Sequence, residues 1–235
     1  MGEFLQDNLT TITVFYGLSF FVIFAAIAFQ RGHTAHFDLA DTFMYLAGFG
    51  LLHGIGDLVF LALHNLGWTP SQALIVKQIG RYFLAGSYVF LYLFGLSVFL
   101  DKATQKTKWI VLYSPIITMV FFVITLNPFD QIVRTEVIFR LFLGFPSAIL
   151  ASAAMLKMSG RFGALKLTKI VADFRGAAIS FFFYAIFTGL FWVSYPKTIL
   201  ILGSVPVQLL RAITMIVLAY FTVRILGIFK LNDSN

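Results

Sequence analysis

The sequence predicts an all-α integral membrane protein, a bundle of seven transmembrane helices with its N-terminus outside and its C-terminus inside the cytoplasm. Three observations carry this expectation: a composition unsuited to water, seven apolar runs long enough to cross a bilayer, and basic residues gathered on one set of alternate connections.

The chain is 60% hydrophobic, 17% aromatic and 11% charged, against about 45–50% apolar and about 25% charged in a typical soluble domain. A water-soluble fold cannot hide that much apolar surface. Phenylalanine occurs 29 times, mostly within runs that match the ~20 helical residues needed to cross a hydrocarbon core. There is no cysteine, which removes disulfides, thiolate metal sites and cysteine nucleophiles together. A net charge of +7 would suggest nucleic acid for a soluble protein. Here the cations flank apolar spans and act as topology signals, so nucleic acid is excluded as a partner. The first apolar run follows Glu3 and Asp7 rather than a basic segment and has no small-residue cleavage site, so it is expected to stay as a helix.

The spans fall at residues 10–29, 41–63, 78–100, 109–126, 135–156, 176–193 and 205–229. Their runs are continuous rather than alternating, which favours helices over barrel strands. Residues 1–229 form one seven-helix domain, and 230–235 a short cytoplasmic tail leading to an absent or separate output module. One set of connections holds Arg31, Lys102, Lys106, Lys108, Lys157, Arg161, Lys166, Lys169, Arg175, Arg224 and Lys230. The other holds only Lys77, Arg134 and Lys197. The positive-inside rule therefore assigns the first set to the cytoplasm. The basic stretch 157–175 is either an anchor on anionic lipid headgroups or a topology signal alone.

Three arginines, Arg81, Arg140 and Arg211, fall inside spans, where a charge is costly unless it faces a partner, a cavity or the interface. From the predicted boundaries Arg81 lies roughly 5 Å, Arg140 about 8 Å and Arg211 about 9 Å from the outer end of its helix, with Asp57 at about 9 Å and His53 at about 15 Å. All five belong to the outer half. His53 and Asp57 share a helix face, as do Glu136 and Arg140. Gln208 precedes Arg211 by one turn, with Pro206 at the start of that span. Spans 2, 3, 5 and 7 can thus meet in one outward-facing chamber, leaving the rest as apolar walls.

Each group also has a purely structural reading. Arg81 can snorkel to the interface, Arg140 can pair with Glu136, and Arg211 can pair with Asp57. His53 can be a hydrogen-bonded interior histidine and Gln208 interhelical glue. Pro146 beside Gly144 reads as a kink or a moving joint. A metal is not expected, because His33, His36, His53 and His64 are spread over different depths. A retinal Schiff base needs a lysine that the last span lacks. No cofactor is expected, and no catalytic set or phosphate loop stands out.

Three segments resemble the seven-helix N-terminal sensor region of bacterial membrane histidine kinases and diguanylate cyclases. They are Phe49-Gly50-Leu51-Leu52-His53-Gly54 with Asp57; Arg140 followed by Leu143-Gly144-Phe145-Pro146; and Pro206-Val207-Gln208-Leu209-Leu210-Arg211, leading to Arg224-Ile225-Leu226-Gly227-Ile228-Phe229. Their order suits that group over nearly the whole chain. Leu58 departs from the aromatic residue expected after the acid, and no phosphoacceptor, ATP-binding or cyclase segment follows Asn235.

The resemblance implies a signal-transducing receptor in the bacterial cytoplasmic membrane. On this reading a small or amphiphilic ligand sits in an outer-leaflet pocket and the last span reports it. Three arginines against Asp57 and Glu136 leave one positive charge unmatched, so the expected ligand is anionic. Arg140 and Arg211 would hold it, Gln208 would orient it, and His53 with Asp57 would form the floor, with Arg81 and Glu136 at the margin and Gly144, Pro146 and Pro206 as hinges. The implied partners are membrane lipids and a cytoplasmic kinase or cyclase module in the same or a separate chain, with a homodimer left open. The rivals are a small transporter, disfavoured by the lack of a repeated half and of polar residues continuing inward, and a membrane-embedded lipid hydrolase, disfavoured by the missing metal set and nucleophile.

Overall fold

The computed structural model describes residues 8–34, 40–100, 107, 110, 113, 114, 117, 137–191, 200, 201 and 205–230. Among them are six helices long and apolar enough to cross a membrane: α1 (Leu9–Thr34), α2 (Ala40–Asn65), α3 (Pro70–Phe99), α4 (Phe145–Ala164), α5 (Thr168–Ala185) and α6 (Val207–Lys230). They account for six of the seven expected spans. The span at 109–126 lies outside the described residues except for Ile110, Tyr113, Ser114 and Ile117, which are helical and exposed. An all-helical expectation needs one small amendment. Leu200–Ile201 (β1) and Val205–Pro206 (β2) pair antiparallel just before α6.

Helix starts are set by local chemistry as much as by hydropathy. Hydropathy alone places the third span at 78, yet α3 begins at Pro70 because Thr69 forms a capping box with Gln72 and Pro70 occupies the first turn. That proline costs nothing there, since the first-turn amides have no intrahelical partner. Lys77, counted above as a loop residue, is therefore helical. The basic loop expected over 157–175 is likewise short. Only Leu165, Lys166 and Leu167 separate α4 from α5, and the four cations around Lys166 stand on helices.

Two helices are distorted. Phe139–Gly144 is a π-helical segment leading into α4, and Ile186–Leu190 is another ending α5. In both the closing bond spans five residues: Phe145 N–H donates to Arg140 O, and Phe191 N–H to Ile186 O. Pro146 has no N–H to complete a regular turn, and a π-bulge just ahead of it absorbs the mismatch. The two segments pack together. Gly189 makes this closeness workable, since a Cβ there would lie 2.6 Å from Phe145 Cβ.

Neighbouring contacts close the helices into a ring in the order α1, α2, α3, α4, α5, α6 and back to α1. Chain direction follows from paired positions. Along α3 and α4, Tyr88 meets Gly144, Gly95 meets Leu150, and Val98 O accepts from Lys157. Both numbers rise together, so α3 and α4 run parallel. The α1–α2, α2–α3, α4–α5 and α5–α6 pairs run antiparallel, as Phe20 against Gly50 and Ser152 against Ala178 illustrate. The end where α1, α3, α4 and α6 begin is called the upper face and the other the lower face. The outside of the ring carries stripes such as Ile213, Ile216, Tyr220 and Val223, exposed at helical spacing. Such stripes suit lipid as the surrounding solvent and make this a multi-pass membrane protein.

Candidate ligand chamber

Polar groups from α1, α2, α3, α5 and α6, and from the π-helical segment ahead of α4, gather around one level of the ring. His53 of α2 is its hub, 1% exposed. Its Nδ1 lies 2.8 Å from Ser87 Oγ of α3. Ser87 already donates to Leu84 O at 2.6 Å, so its oxygen can only accept, and the Nδ1 atom must carry the proton. Nε2 then presents a single lone pair. Two hydroxyls meet it, Tyr16 of α1 and Tyr184 of α5, each at 3.3 Å. Phe20 stacks on the imidazole with centroids 4.1 Å apart, while Phe49 and Tyr88 approach its edge.

Charge gathers just above. Asp57 sits one turn above His53, with Oδ2 3.9 Å from Nε2, beyond hydrogen-bonding distance. Arg140, in the first π-helical segment, and Arg211, on α6, both act electrostatically on His53, and Arg140 acts on Arg211. Asp57 acts on Tyr16 and Tyr184. His53 is thus the common neighbour of Asp57, Arg140 and Arg211, the groups singled out from sequence.

The pairing expected between Asp57 and Arg211 is replaced by another arrangement. Arg211 Nε donates to Phe187 O at 2.7 Å and one Nη to Phe191 O at 2.8 Å. Among the described residues it forms no ion pair. These carbonyls belong to the π-helical end of α5, where the last turn leaves acceptors without amide partners. Arg211 thus caps a neighbouring helix and fixes the height of α6 against α5.

Snorkelling by Arg81 is also overturned. Arg81 is among the largest fully buried side chains, 1% exposed, and donates from Nη1 to Gln78 Oε1 at 3.2 Å. The reason is the early start of α3. Eleven residues separate Pro70 from Arg81, so the arginine stands ~17 Å along the helix rather than near its end.

Gln208 is half-buried one turn before Arg211, its Oε1 without a hydrogen bond among the described residues. Glu136 lies outside the described residues. Gly144 ends the first π-helical segment against Tyr88, whose ring a Cβ there would meet at 2.8 Å. Pro146 stands in the first turn of α4, and Pro206 is buried in β2. Sequence reasoning missed Tyr16 and Tyr184, phenols that hydropathy counts as apolar in spans it leaves as walls, and Ser87 and Tyr88, on a span it uses only for Arg81. The available signal was a phenol in mid-span, since a buried Tyr hydroxyl usually finds a partner.

No family model, curated protein or solved structure matches the chain.

Proposed function

We propose that this chain is a transmembrane sensor that binds a small or amphiphilic anion in the upper half of the ring and reports it through α6. The observation that carries the reading is the convergence of Arg140 and Arg211, from different helices, on the buried His53 cluster and on each other. Two cations beside His53 in a low-dielectric space make a place where an anionic group is held by charge. The resemblance to sensor regions of bacterial membrane kinases and cyclases points the same way and assigns the chain to the cytoplasmic membrane of a bacterium.

Seven crossings fit the parallel run of α3 and α4. Leu100 follows α3 at the lower face, whereas Phe139 belongs to the next described segment at the upper face, which supports the crossing expected at 109–126. With basic residues clustered at the lower face, the upper face is external. Accordingly a cysteine at Gly67 or Asn127 is labelled by an impermeant reagent in intact cells, and one at Gly163 is not. The reverse pattern inverts the sensor and removes an external ligand.

For ligand binding the test compares decanoate with decanol on the reconstituted protein. The anion raises the unfolding temperature, the alcohol does not, and Arg140→Gln or Arg211→Gln removes the difference. Equal stabilisation by decanol, or uptake of decanoate into proteoliposomes, overturns the reading. In a fusion to a cytoplasmic kinase, Arg211→Gln keeps basal activity and loses the decanoate response. Arg81→Gln, which snorkelling would make silent, here removes a buried group and is expected to lower stability.

A further inference from the structure

The turn between α4 and α5 combines features that neither the chamber nor the output requires. Leu165 is 66% and Leu167 42% exposed, flanking Lys166, whose φ of 59° is the one non-glycine left-handed conformation among the described residues. Within the turn the backbone is satisfied internally, by Leu165 N to Phe162 O, Lys166 N to Gly163 O and Leu167 N to Phe162 O. Recognition at this tip therefore falls to side chains.

Their charges have one sign. Between residues 157 and 175 the only acid is Asp173, and it is withdrawn from the surface, 2% exposed, with Oδ1 3.1 Å from Arg224 Nε on α6. Lys157 is also committed, donating to Val98 O at 3.0 Å and covering the Phe99 ring. Arg161, Lys166, Lys169 and Arg175 are exposed. Four exposed cations in a segment whose one acid is buried, set around two exposed leucines at the end of two spans, match a headgroup–acyl boundary: phosphates for the cations and chains for the leucines. A free phosphate or an acidic peptide has no use for the leucines at that level.

We propose that the α4–α5 hairpin is a binding surface for anionic phospholipid on the lower face. It is independent of the ligand chamber. Because Asp173 holds Arg224, the same contact that clears the patch of negative charge also ties it to α6.

The absence of cysteine permits single-site labelling. A donor dye is attached to Gly163→Cys, where a Cβ meets only Val171 Cγ2 at 3.8 Å, or to Gly67→Cys, where a Cβ has open space. The full chain is placed in phosphatidylcholine nanodiscs containing acyl-labelled phosphatidylglycerol or acyl-labelled phosphatidylcholine. Energy transfer at Gly163 is expected to favour phosphatidylglycerol several-fold, since each cation near an anionic surface contributes roughly fivefold. At Gly67 the two lipids give equal transfer. The preference disappears in the Arg161→Gln, Lys166→Gln, Lys169→Gln, Arg175→Gln variant, and it shrinks in the native chain at about 1 M salt, where the Debye length is ~3 Å. Equal transfer at Gly163, or a preference that survives high salt, overturns the proposal even if the variant fails to fold. Loss of the preference to inorganic phosphate at constant ionic strength also overturns it, by showing a free-anion site.

Discussion

In the lower half of the bundle, the polar contacts between helices are separate from one another. Ser152 donates to Ala178 O at 2.8 Å, Lys157 to Val98 O at 3.0 Å, and Asp173 meets Arg224 at 3.1 Å. The central level is organised in the opposite way. There two tyrosines from α1 and α5 share the one lone pair of His53, and Arg140 and Arg211 act on the same ring. Separate contacts set a helix register and leave little to redistribute. A shared acceptor admits two arrangements of similar energy, which is what a ligand-driven population shift needs.

The largest expected effect is loss of the hub. His53→Ala removes the group that joins α1, α2, α3 and α5 and leaves a cavity among phenols, so unfolding in detergent is expected to be easier by ~3–5 kcal/mol. A change below about 1 kcal/mol would make the central level as replaceable as the lower clamps.

Arg211 comes next, as the point where the centre behaves like the periphery. Arg211→Ala strips Phe187 O and Phe191 O of their donors, for a loss of about 2–4 kcal/mol. Since Arg211 binds carbonyls rather than Asp57, the losses from Asp57→Asn and Arg211→Gln are expected to add within ~0.5 kcal/mol. A double variant clearly milder than that sum would restore the direct pair.

The tyrosines give the sharpest test of sharing. If Tyr16 and Tyr184 contest one lone pair, either alone can fill it, so each change to Phe costs under ~1 kcal/mol while the double change exceeds their sum by about 1 kcal/mol. Strict additivity would mean two independent hydrogen bonds. The smallest effect belongs to Asp173 and Arg224, because Arg224 is exposed and screened. A double-mutant cycle of Asp173→Asn with Arg224→Gln is expected to show coupling that fades with salt, and salt-independent coupling would place the pair out of solvent reach.

By itself the sequence determined the solvent of the fold and the location of its costly groups. Apolar runs are a matter of local composition, and a charge inside such a run is visible before any neighbour is known. Six spans and the positions of His53, Asp57, Arg140 and Arg211 were legible for that reason. Tertiary structure decided what those groups touch. Two phenols hidden in apolar runs became partners of His53 only when α1 and α5 closed the ring around α2. Arg211 turned to carbonyls that a π-helical turn of α5 exposes. Arg81 went inside because a capping box at Thr69 lengthened its helix, and Asp173 left the lower surface because α6 brought Arg224 to it. Hydropathy records the cost of putting a polar group in lipid, whereas the partner that offsets it is chosen by helices distant in the chain.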